Sequence, residues 1–110
     1  MNLKTASAKK LLAELQLPLD ASSLNNGLIL VDMMRITRYL STTDSGEEKY
    51  YIEFTEQGLA YGKNKPSGWH EFKTEPVFFV DKFLEAYYLA TAAIYTHAQQ
   101  FVTPEEPPTE

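Results

Sequence analysis

Cysteine is absent from the 110 residues, which excludes disulfides, thiol nucleophiles and thiolate metal sites. Histidine is scarce: His70 and His97 are the whole supply. His70 sits in "GWHEF" beside Glu71, but adjacent residues of a strand point to opposite faces, so the two do not make a proton-transfer pair. His97 falls late in a helical stretch, where an imidazolium favours the negative helix end. No HExxH, EF-hand or Gly-rich phosphate loop occurs, so no metal or cofactor is expected and the chain reads as a non-enzyme. A basic surplus is also missing. Ten Lys and Arg face fifteen Asp and Glu, for a net charge of −5, whereas general nucleic-acid binding rests on cations against phosphate. Long hydrophobic runs are lacking too. The most apolar region, Val77 to Ile94, is interrupted by Asp81, Lys82 and Glu85, and "MNLKTASAKKLLAELQLPLD" has no continuous apolar stretch of signal-peptide type, so a cytoplasmic protein without a membrane partner is expected.

What is present suits one compact unit. Hydrophobic residues make up 44% of the chain, with seven Tyr, six Phe and one Trp, enough for a core. Residues 1–102 are expected to form a single globular domain, and residues 103–110, "TPEEPPTE", a flexible acidic Pro-rich tail that carries Glu105, Glu106 and Glu110.

Thr5 or Ser7 caps an expected helix through "SAKKLLAELQL", where Ala8, Leu11, Leu12 and Leu15 share a face and Pro18 sets the end. Asp20 to Gly27, "DASSLNNG", reads as a turn-rich connector. In the next segment periodicity does not decide. Arg35 to Thr42 reads as a strand because "TDSG" and the alternating strand Lys49 to Phe54 follow, while Leu28 to Met34 stays open between helix and strand. Thr55 caps a short turn that Gly58 relieves; "YGKNKPSGW" reads as loop, and "HEFKTEP" as a short strand closed by Pro76. From Val77 to Phe101 the pattern is helical: Phe79, Phe83, Tyr87, Ala90, Ile94 and Phe101 form a stripe that Val80, Leu84, Tyr88 and Ala92 broaden. So wide an apolar surface on one helix points to a homodimer through this C-terminal helix, with Phe79, Phe83 and Tyr87 at the contact.

Charged residues supply two further expectations. Lys9, Lys10, Arg35, Arg38, Lys49, Lys63 and Lys65 would form a dispersed phosphate-contacting face. Arg35 and Arg38 share a face only if their segment is helical. Asp44, Glu47, Glu48, Glu53 and Glu56 cluster near the hairpin; Glu47, Glu48 and Glu53 in particular would bind a basic protein surface or imitate phosphates.

A Leu-rich first helix, a hairpin and then "IEFTEQGLAYG" resemble the wing ending of winged helix-turn-helix regulators. More narrowly, "SAKKLLAELQL", "FTEQGLAYGKN" and "SGWHEFKTEPVF" look like pieces of the C-terminal domain of phage antirepressors. That resemblance implies an α+β, winged-helix-like small domain with a β-hairpin and a long C-terminal helix, and it makes Thr55, Glu56 and Gly58 structural members of the wing junction. It also implies a phage- or prophage-type regulator that binds DNA or a host or phage regulatory protein. The alternative is an acidic inhibitor of a host nucleic-acid-binding protein.

Overall fold

The computed structural model describes residues 4–40, 48–66 and 73–102. The chain is mixed α+β: β1 (Thr5–Ala6), α1 (Ala8–Glu14), α2 (Ala21–Leu30), β2 (Met34–Leu40), β3 (Glu48–Phe54), β4 (Gly62–Pro66), β5 (Thr74–Phe79) and α3 (Phe83–Gln99). One-turn 3-10 segments at Gln57–Ala60 and Val80–Lys82 follow β3 and β5. Strands β2 and β3 form an antiparallel hairpin, and β1, β5 and β4 a second antiparallel sheet with β5 in the middle. The tail, the hairpin turn and His70 lie outside the described residues.

Helix α1 begins where Ser7 Oγ accepts from Lys10 N (3.2 Å) and buries Ala8, Leu11 and Leu12. It closes before Pro18. Gln16 takes a left-handed conformation (φ 55°), and Leu17 N and Gln16 N donate back to Leu12 O and Ala13 O, the paired bonds of a Schellman ending. The expected connector after it is instead helix α2. Asp20 and the serines are ambiguous in sequence, because side chains that favour turns also cap helices; here Asp20 Oδ1 accepts from Ser23 N (2.7 Å). Gly27 lies inside this helix rather than after it. A Cβ there would stand 2.7 Å from Ala90 O, so glycine permits the close crossing of α2 over the Ala86, Ala90 and Ala93 side of α3.

The undecided segment Leu28 to Met34 divides. Helix runs to Leu30, a second Schellman ending places Asp32 at φ 61°, and the strand begins at Met34. The expected loop from Tyr61 onward contains β4, whose Lys63 and Lys65 face solvent and so hide the alternation that marks a half-buried strand. Pro76 does not close β5 but lies within it. Phe79 N donates to Tyr61 O (2.9 Å), so Phe79 and its alternate neighbours bond to β4; Pro76, paired with Asn64, is a non-bonded position, and β1 does not reach it. Helix α3 accordingly starts at Phe83 and not at Val77, because Val77, Phe78 and Phe79 are taken by the sheet.

The core joins these layers through Phe54, Phe78 and Phe83, stacked edge to face at 5.1 and 5.2 Å, with Leu24, Leu28 and Met34 around them. Thr55 N donates to Met33 O (3.0 Å), so by strand alternation the Phe54 N–H and C=O point away from the hairpin partner. The side chain of Asn64 takes both: Oδ1 accepts from Phe54 N (2.7 Å) and Nδ2 donates to Phe54 O (3.1 Å). Thr55 Oγ1 donates to Asp32 O (2.6 Å) and accepts from Gly58 N (3.2 Å), so the expected Thr55 cap is present. Gly58 serves close approach, since a Cβ would meet Met33 O at 1.8 Å. At Gly62 a Cβ would lie 2.2 Å from Val77 O and 2.7 Å from the Phe54 ring.

Two outcomes are expected. Asn64→Ala leaves two buried backbone groups of Phe54 unpaired and lowers unfolding free energy by about 2–3 kcal/mol in urea titration. The Ser23 backbone bond holds the Asp20 carboxyl below its ordinary 3.8. A depressed folded value stabilises above the unfolded one, so this contribution disappears as pH falls from 3.8 through the lowered value. Asp20→Asn keeps a capping oxygen but cannot titrate, and its stability should fall less steeply than the natural chain's over that range in urea titrations at successive pH.

Candidate interaction surfaces

The hairpin alternates its faces with the register Arg35 opposite Glu53, Ile36 opposite Ile52, Thr37 opposite Tyr51 and Arg38 opposite Tyr50. Arg35 and Arg38 therefore stand on opposite faces and cannot act as one phosphate clamp. Both are engaged. Arg35 Nε donates to Glu53 Oε2 (2.8 Å), an oxygen that also accepts from Thr37 Oγ1 (2.8 Å). Arg38 lies 3.6 Å from Glu48 Oε1 and 5.8 Å above the Tyr50 ring, and Tyr50 OH donates to the same Glu48 oxygen (3.4 Å). Exposed pairs of this kind add little stability, but they place a carboxylate on each guanidinium.

The remaining expected cations are scattered. Lys9 and Lys10 are exposed on α1, Lys49 stands opposite Tyr39 on the Arg35 face, and Lys63 and Lys65 are exposed on β4. Of the acidic cluster, Glu48 and Glu53 are each paired with an arginine; Glu47 and Asp44 lie outside the described residues, and Glu56 is exposed before the 3-10 turn. What the hairpin offers on its Arg38 face is an open hollow of about 580 Å³ lined by Ile36, Arg38, Tyr50, Tyr51 and Ile52. Ile36 and Tyr50 are each 56% exposed. Ile36 also borders a second hollow, with Leu30, Ile94 and His97, between the hairpin base and the helices.

The expected partner residues on the C-terminal helix need correction. Phe83 is wholly buried, packed on Phe78; Phe79 belongs to β5 and pairs with Thr5; Tyr87 is half-buried against the core. The exposed apolar residues of α3 are Leu84, Tyr88 and Tyr95, with Phe101 and Val102 beyond its end. Sequence reasoning merged the two sides because it took Leu84 and Tyr88 as a widening of the core stripe. The distinguishing signal was the missing charge: from Ala86 to Val102 the chain holds no Asp, Glu, Lys or Arg. His97 is exposed and meets the Phe101 ring edge to face at 5.0 Å. Among the described residues no three His, Asp or Glu come together as a metal set, and no helix is long and apolar enough to cross a membrane.

Comparison with protein-family models, with curated proteins and with solved structures finds no match to this chain.

Desolvation, and then the Glu53 carboxylate, push the Tyr51 phenol above its ordinary 10.0, while Arg35 opposes them. Glu53→Gln removes the second cause alone. An NMR titration of the Tyr51 ring should show its pKa fall part of the way back towards 10.0, with the share due to burial retained.

Proposed function

We propose that this is a non-enzymatic regulatory protein of phage or prophage type, cytoplasmic, with a winged-helix-like fold, and that it works by binding a protein partner rather than DNA. The helix pair α1 and α2 running directly into the hairpin supports the winged-helix reading. The observation that carries the choice of partner is the pairing on the hairpin: each arginine has a carboxylate, while Ile36 and Tyr50 remain exposed beside an open hollow. A wing that grips phosphate needs unneutralised cations, because release of counterions from the nucleic acid supplies the affinity. An amphipathic aromatic with an arginine beside it is instead the side-chain pair that dominates protein interfaces.

The test has two arms. Titration of labelled duplex DNA at physiological salt should give binding no tighter than the non-specific range of about 10⁻⁴–10⁻⁶ M. Nanomolar binding that weakens steeply with salt and is lost in Arg38→Ala would overturn the reading. In the second arm, proteins retained from a host lysate by the natural chain should be lost with Tyr50→Ala or Ile36→Asp, both exposed positions whose variants are expected to stay folded. Equal retention by the folded variants would remove the hairpin from the interface.

A further inference from the structure

We propose that the outward side of α3 pairs antiparallel with α3 of a second copy of this chain. The inference does not depend on what the hairpin binds. It begins from spacing: Leu84, Tyr88, Thr91, Tyr95, Ala98 and Val102 follow one another at alternating steps of four and three, the repeat that keeps a seam facing a partner helix. Val102 N still donates to Ala98 O (3.2 Å), so the helical path reaches the last of them. At 100° per residue this seam lies roughly 140° around the helix from the buried Phe83, Ala86, Ala90 and Ala93. One stripe of α3 thus serves the core and the other faces out.

Four of the outward residues are large and bare: Leu84 is 58% exposed, Tyr88 71%, Tyr95 67% and Val102 66%. Their open surface comes to roughly 500 Å² per copy. Full coverage of that surface on two copies removes about 1,000 Å² from water, the size from which a specific interface is argued. The lack of charge from Ala86 to Val102 removes the repulsion that two acidic copies would otherwise meet on approach. Thr91 Oγ1 donates to Tyr88 O (2.9 Å), so its hydroxyl keeps a partner when water leaves.

Size complementarity selects the second copy and its direction. With the helices antiparallel and centred on residue 93, Leu84 meets the partner's Val102, Tyr88 meets the partner's Ala98, and Thr91 meets the partner's Tyr95. Each tyrosine then faces a small residue, the large-to-small alternation that lets layers interdigitate. A parallel pair would set Tyr88 on Tyr88 and Tyr95 on Tyr95, and leave Ala98 opposite Ala98.

Light-scattering mass on the eluted natural chain should give two copies at micromolar concentration. Tyr88→Glu should give one copy that still unfolds in a single cooperative thermal transition, at a temperature lower by what the association contributed. The direction is read by disulfide trapping, for which the chain has no competing cysteine. Leu84→Cys co-expressed with Val102→Cys should cross-link under mild oxidation, and each variant alone should not. A natural chain that is monomeric, or a folded Tyr88→Glu that remains dimeric, overturns the proposal. Cross-linking of Leu84→Cys with itself overturns the antiparallel arrangement, and it reads out even if Tyr88→Glu were to lose its fold.

Discussion

The carboxamide of Asn64 stands in for a missing strand. At Phe54 the hairpin partner uses neither backbone group, and a buried residue cannot leave both unpaired without destabilising the fold. By accepting from one and donating to the other, Asn64 fastens the hairpin to β4. That fixes the Phe54 ring against Phe78, and through Phe78 against Phe83 at the start of α3. Three elements far apart in sequence are thereby held by one residue and its neighbours. The two glycines of "FTEQGLAYGKN" follow from the same closeness, since Gly58 lies against Met33 O and Gly62 against Val77 O and the Phe54 ring. The stretch that looks most like a functional motif is a clasp.

Because the clasp occupies the base of the hairpin, exposure is left to its outer half and to the far side of α3. Met34 and Phe54 at the base are buried, whereas Ile36, Arg38 and Tyr50 further out are open. Side chains presented from a strand or helix that is itself pinned at one end lose little freedom on binding, which reduces the entropic cost of recognition. Arg38 is a case in point: the Glu48 carboxylate and the Tyr50 ring already restrict it before any partner arrives.

The local signals with a single physical meaning were legible in the sequence. A Leu-rich period opened by Thr5 or Ser7, Thr55 three residues before Gly58, and the alternation of β3 each named one element, and the structure has the helix, capped by Ser7, the Thr55 turn and the strand. Signals with two meanings failed. Asp20 and the serines after it serve turns and helix caps alike, so α2 was taken for a connector. Strand β4 carries lysines because it is an edge, and an edge has no need of the apolar alternation that would announce it. On α3 the helical pattern was legible but its two sides were not told apart. Phe83 and Leu84 differ by one position, which on a helix is about 100° of arc and separates core from solvent.

That one-residue difference also explains why α3 holds so many aromatic residues for so small a protein. Its crossing with α2 brings Gly27 against Ala90, and the α3 residues buried on that side besides Phe83 are the small Ala86, Ala90 and Ala93. The large side chains Tyr88 and Tyr95 contribute nothing to that contact, and an exposed apolar patch of several hundred Å² on a monomer usually marks a site of association. A two-fold pairing there would bury them and also repeat every other surface, so that each assembly presents two hairpins. A partner with two matching sites would then be held with a second binding step that is intramolecular, and a modest contact at Tyr50 and Ile36 would become a tight one without any added residue.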